Sequence, residues 1–186
     1  MSLNIIHLQS DRGDSGGISN YISLLVTSRT LINIRQKVVV REKNKSCLML
    51  YPNSEIIVLD TDYNFFNLTN KIFKINKILN YENYIIHSHA LRTGLLASLM
   101  KLFFRKKFLY TNHGLRFTQK KGLKKIYFFL IEILILLLSE KYICIKKTDY
   151  YFLKKFLLLY FLKKKIKIIK LRLNINDEFR NLDYSS

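Results

Sequence analysis

Tyr84-Ile85-Ile86-His87-Ser88-His89 and Tyr110-Thr111-Asn112-His113-Gly114-Leu115-Arg116-Phe117 decide the reading of this chain. Each is a short apolar run that ends in a polar, histidine-bearing turn. Tyr84 to Ile86 reads as one buried strand and Lys107 to Thr111 as the next. Between them Leu91, Leu95, Leu96, Leu99 and Met100 recur at helical spacing. Strand, helix and strand in that length make one right-handed parallel crossover. Open α/β sheets hold their ligands beyond the carboxyl ends of the strands. Three of the four histidines stand at these two ends, so the stretch is expected to form half of a binding crevice.

Upstream, Leu3 to Leu8 reads as the first strand. The polar, glycine-rich turn Gln9 to Gly17 joins it to a helix carried by Ile18, Tyr21, Ile22, Leu25 and Val26. Gly16 and Gly17 open that helix. Backbone N–H groups there can approach a phosphate, and the helix dipole favours the anion. A tight turn needing positive φ would use the same glycines. Lys37 to Arg41 and Glu55 to Leu59 are two more strands, with a possible short strand at Leu48 to Tyr51 between them. Phe65 to Leu79 is an amphipathic helix. Downstream come a long helix over Lys120 to Ser139, a strand at Tyr142 to Ile145, a helix over Asp149 to Phe161 and a lysine–isoleucine strand from Lys165 to Leu173. This alternation predicts an α/β fold, a Rossmann-like, doubly wound and mainly parallel sheet of six or seven strands with helices on both faces.

The 186 residues suffice for one domain with a real core. Lysine and arginine number 32 against 13 acids, a net charge of +19. Such an excess suits a polyanionic partner or an anionic membrane surface. A chain rich in Ile, Lys, Asn, Phe and Tyr also reads as one encoded by an AT-rich genome. No RNP, KH or zinc-finger pattern supports nucleic acid as the partner. Cys47 and Cys144 are isolated, which argues against a disulfide scaffold or a cysteine-based zinc site. Met1 to Asp11 lacks the layout of a secretory signal. The apolar run Ile126 to Leu138, broken by Glu132, is shorter than the roughly 18 residues of a spanning helix. A cytoplasmic chain, peripheral at the inner face of the cell membrane, is the expectation.

In order and spacing these stations resemble the N-terminal domain of retaining glycosyltransferases of family 4, which have the two-domain GT-B fold. Gly16-Gly17-Ile18 is similar to that family's loop facing the donor phosphates. Tyr84 to His89 is similar to its D-I-I-H-x-H strand end, and Tyr110 to Gly114 to its T-x-H-G turn. Glu132 falls where family helices carry a glutamate before an apolar stretch. Asn174-Ile175-Asn176-Asp177-Glu178-Phe179 is similar to the N-G-I-D-x-x-F that closes the N-terminal domain. Two positions depart from the pattern: Ile175 replaces the turn glycine, and Lys146 stands where a serine is usual.

The resemblance implies an acceptor-side domain over 1–173 and a hinge remnant over 174–186, truncated before the nucleotide-sugar-binding C-terminal domain. It implies sugar transfer from a nucleotide-sugar to a lipid-linked or polysaccharide acceptor in bacterial surface polysaccharide synthesis, such as capsule or lipopolysaccharide. A separate C-terminal domain is then a partner. The alternative is a non-catalytic remnant or docking module of a split enzyme. His113 is the expected catalytic residue, Gly16 and Gly17 the donor-phosphate contacts, and His89, Arg92 and Arg116 the acceptor contacts. Arg116 suits an acidic or phosphorylated acceptor as a bidentate fork. His7, inside the first strand, and His87, pointing into the sheet, are expected to be structural. No cofactor beyond the donor substrate is expected. A metal at His87, His89 and His113 is not expected either, because no carboxylate or cysteine stands beside them at zinc-ligand spacing.

Overall fold

The structure, a computed structural model, describes residues 4–9, 17–28, 34–40, 51, 54–59, 67–79, 84–156 and 160–168. The expectations for Gly16, the Leu48 to Leu50 part of the possible strand, and the closing segment 174–186 lie outside them. Among the described residues seven strands appear in this order: β1 (Asn4–Leu8), β2 (Arg35–Val40), β3 (Glu55–Val58), β4 (Tyr84–His89), β5 (Phe108–Asn112), β6 (Lys141–Cys144) and β7 (Ile166–Ile168). The helices are α1 (Gly17–Val26), α2 (Leu68–Leu79), α3 (Leu91–Phe104), α4 (Gly122–Leu138), α5 (Lys147–Phe156) and α6 (Tyr160–Lys165).

The strands form one sheet in the order β3-β2-β1-β4-β5-β6-β7, and all six pairings are parallel. The fold is α/β and Rossmann-like, as the alternation predicts. The order reverses between β1 and β4. Crossovers leaving adjacent strands there turn opposite ways and leave a crevice at the carboxyl ends.

One face carries Ile6, Leu8, Ile86, Phe108, Tyr110, Tyr142 and Cys144, all buried in the main core with Leu96, Met100, Ile135 and Leu136 of α3 and α4. A Cβ on Gly94 would lie 2.7 Å from the Tyr110 ring and 2.8 Å from Ile135, so glycine lets α3 lie this close to the sheet. On the other face Ile22 and Val26 of α1 pack on Val38, Val40 and Tyr51.

Local boundaries depart from expectation where tertiary contacts compete with sequence pattern. β4 does not end at Ile86 but runs through His89. It is a central strand, and its ladder to β1 and β5 pairs His87 and Ser88 on both sides. The helix expected from Lys120 begins at Gly122, after a 3₁₀ turn at Arg116–Gln119. Its carboxyl end is capped from a distance, for the Lys165 ammonium donates to the carbonyls of Leu137 (2.7 Å) and Ser139 (3.1 Å). A cation there suits both the free carbonyls and the negative end of the dipole.

Candidate functional site

A cleft of about 500 Å³ opens at the carboxyl ends of β1, β4, β5 and β6. Gly17, Ile18 and Tyr21 of α1 line one side, Ala90 and Leu91 the second, and His113, Gly114, Arg116 and Gln119 the third. Ile145 and Lys146 close it. Among the described lining residues two are cationic, Arg116 and Lys146, and both suit an anionic group.

The turn that presents His113 is built by its neighbours. The Gly114 N–H donates to the Asn112 side-chain carbonyl at 2.7 Å, the short Asx turn that Asn favours. Gly114 has φ +147°, open to glycine and strained for other residues. The His113 ring meets Tyr21 edge-on at 5.2 Å and lies 5.8 Å from His89. Burial lowers its pKa to about 4, so at neutral pH it offers one N–H and one lone pair. A neutral imidazole nitrogen can donate to or accept from a hydroxyl, according to tautomer.

Ala90 joins β4 to α3 with φ 74° and ψ 165°, a region otherwise almost reserved for glycine. Its backbone N–H is held by the Thr111 carbonyl at 3.2 Å and its own carbonyl accepts the Gly94 N–H at 3.0 Å. Backbone strain of this kind concentrates where a chain is shaped for binding, and Ala90 lines the cleft.

Behind the cleft lies a chain of buried polar groups. The register pairs His7 with His87 across β1 and β4, and His87 and His89 share a face at strand spacing two. His7 Nε2 donates to Gln36 Oε1 at 3.0 Å, while Gln36 Nε2 faces the Val26 carbonyl at 3.4 Å. That leaves His7 Nδ1 to accept from His89 Nε2 at 3.2 Å. His87 Nε2 sits 2.7 Å from Thr111 Oγ1. Desolvation holds His7 at a pKa of about 4 and puts His87 and His89 well below the usual range, with neighbouring histidines adding to it. These are neutral imidazoles.

The sequence-derived residues therefore divide. Gly17, His113 and Arg116 meet in the cleft. His89 is fully buried and does not line it; a ligand in the cleft faces Tyr21, which touches the rings of both His89 and His113. Arg92 is exposed on the first turn of α3, outside the lining. Three lining residues escaped the reading. Tyr21 looked like a helix core position, Ala90 carries no chemical signal, and Lys146 registered only as a departure from a pattern.

Opposite, Glu132 is buried against Tyr142, whose hydroxyl donates to it, and burial lifts its pKa to about 7. Cys144 is a free, buried thiol that desolvation pushes up to about 12, which makes it inert.

No protein-family model and no curated protein matches this sequence. Solved structures do resemble the fold. HepE of Anabaena, in complex with UDP and glucose, superposes with a TM-score of 0.66 at 13% identity, covering 90% of this chain and 44% of its own. Sucrose-phosphate synthase of Thermosynechococcus elongatus gives 0.64 at 14% identity, covering 90% and 47%. A Listeria monocytogenes protein named for UDP-N-acetylglucosamine 2-epimerase gives 0.63 at 15% identity, covering 89% and 44%. The chain thus spans less than half the length of each. At such identities the likeness shows the fold, which these GT-B-type structures share.

Proposed function

We propose that this chain is the acceptor-side half of a glycosyltransferase of GT-B architecture, taking a sugar from a nucleotide-sugar donor. The carrying observation is the meeting of Gly17, His113 and Arg116 in one cleft at the sheet's switch point. Transfer of a sugar from a nucleoside diphosphate builds charge on the leaving phosphates and needs an oriented acceptor hydroxyl. The first turn of α1 at Gly17 presents backbone donors to the phosphates. Neutral His113 binds a hydroxyl near the reacting carbon. Arg116 and Lys146 hold an acidic or phosphorylated portion of the acceptor. Two neighbours of the same fold are named with UDP compounds, which supports a nucleotide-sugar as donor. The retaining course, the family 4 assignment and a role in surface polysaccharide synthesis follow from the sequence resemblance.

In this reading the donor pocket belongs mainly to a second domain. The 186-residue chain alone is expected to show no transfer from UDP-glucose or UDP-N-acetylglucosamine. A matching C-terminal domain should restore it. His113→Ala should then lower turnover more than it weakens donor binding, because contacts made in the transition state appear in the rate. Transfer by the isolated chain, or indifference to His113→Ala, would defeat the proposal.

The acceptor side also faces a membrane in this reading. Leu123, Ile126, Tyr127 and Leu130 form an exposed stripe on α4 at helical spacing. Lys120, Lys121, Lys124 and Lys125 lie exposed around its start. Such a helix lies on an anionic bilayer surface. Among the described residues no helix is long and apolar enough to cross a membrane.

A further inference from the structure

We infer that His7, His87 and His89 form a transition-metal site of the zinc class, a three-imidazole centre joining β1 to β4 behind the cleft. One ligating nitrogen from each lies within 4.8 Å of the others, and all three residues are buried. His7 Nδ1 and His89 Nε2 are already 3.2 Å apart. Two nitrogens bound tetrahedrally at about 2.0–2.1 Å from zinc would be separated by about 3.4 Å. The carboxylate or cysteine missing from the local sequence is replaced by an imidazole from the neighbouring strand.

A further observation supports a ligand here. The outer shell is in place, since Gln36 fixes the far nitrogen of His7 and Thr111 holds His87. Such partners set tautomer and ring orientation in metal centres. Imidazole donors without carboxylate suit zinc, copper or nickel over magnesium or calcium. The His113 ring lies 5.8 Å from that of His89, and His113 lines the cleft. Tyr21 touches both the His89 and His113 rings and lines the cleft.

The test uses the full chain, stripped of metal and titrated with Co²⁺ or Zn²⁺ alone. Uptake of one ion per chain, a tetrahedral cobalt spectrum and a raised Tm are expected. Gln36→Leu should weaken binding by about 10- to 100-fold, and His7→Gln by at least as much. Because His7 is a buried core residue, zinc-edge X-ray absorption on the unaltered chain provides an independent measurement. It should count at least three imidazole nitrogens at about 2.0–2.1 Å. No stoichiometric uptake, a shell without three imidazoles, or affinity unchanged in folded His7→Gln would overturn the assignment.

Discussion

Tyr21 and His113 meet edge to face, ring centroids 5.2 Å apart and planes at 86°. One comes from α1 and the other from the turn after β5, so this contact joins two walls of the cleft. Edge-to-face pairs contribute about 0.5–1.5 kcal/mol beyond burial. Tyr21→Phe keeps the edge and should leave turnover of the reconstituted enzyme unchanged. Tyr21→Leu should reduce it by about 2- to 10-fold, with the larger effect on kcat. Equal kinetics for the two variants would show that the ring does not position His113.

Gly94→Ala should destabilise the chain. The new methyl would lie under 3 Å from both Tyr110 and Ile135, and neither a sheet-facing ring nor a core isoleucine can retreat freely. Overpacking of this kind costs about 1–3 kcal/mol. Urea unfolding should show a lowered midpoint with unchanged slope.

Ala90→Gly should do the opposite. The observed φ of 74° strains alanine by about 1–3 kcal/mol, and glycine relieves it. Part of the gain is offset by the freer unfolded chain, about 0.4–1 kcal/mol. A net rise of about 1 kcal/mol is expected in the same urea experiment, and Ala90→Val should be worse than the parent.

Glu132 makes stability depend on pH in a stated direction. Burial lifts its carboxyl from 4.5 to about 7, against the downward pull of Tyr142 and Tyr110. Between those values the folded chain keeps a proton that the unfolded chain has lost. This group's contribution therefore declines as pH rises from about 4.5 to about 7, then stays level. Glu132→Gln removes the slope while its amide oxygen still accepts from Tyr142. Relative to the parent, the variant should gain on the order of 3 kcal/mol between pH 4 and pH 8. Parallel pH profiles would rule out a buried, protonated Glu132.

The α4 stripe should direct the chain to anionic bilayers. Vesicles containing phosphatidylglycerol should bind it, and neutral vesicles should not. Lys124→Glu with Lys125→Glu should weaken binding by at least tenfold, since each cation near the surface contributes about 1 kcal/mol. Ile126→Glu with Leu130→Glu should weaken it even at low salt. Binding that ignores all four changes would place the contact elsewhere.

The sequence by itself determined the α/β class and the place of the crevice. Hydrophobic runs of strand length alternate with helical spacing from Leu3 to Leu173, and the period of the side chains is a local property. It also marked Gly17, His113 and Arg116, because polar residues after apolar runs signal a strand's carboxyl end. Only the tertiary structure decided how β1 and β4 pair. Their register places His7 beside His87, a relation between residues 80 positions apart that no local pattern encodes. The same pairing extends β4 through His89 and buries that ring. Central-strand hydrogen bonds outweigh the polar signal that would otherwise end the strand. Sheet order brought Tyr21, Ala90 and Lys146 into one cleft, since residues that are silent in sequence acquire a role only from what the fold sets opposite them.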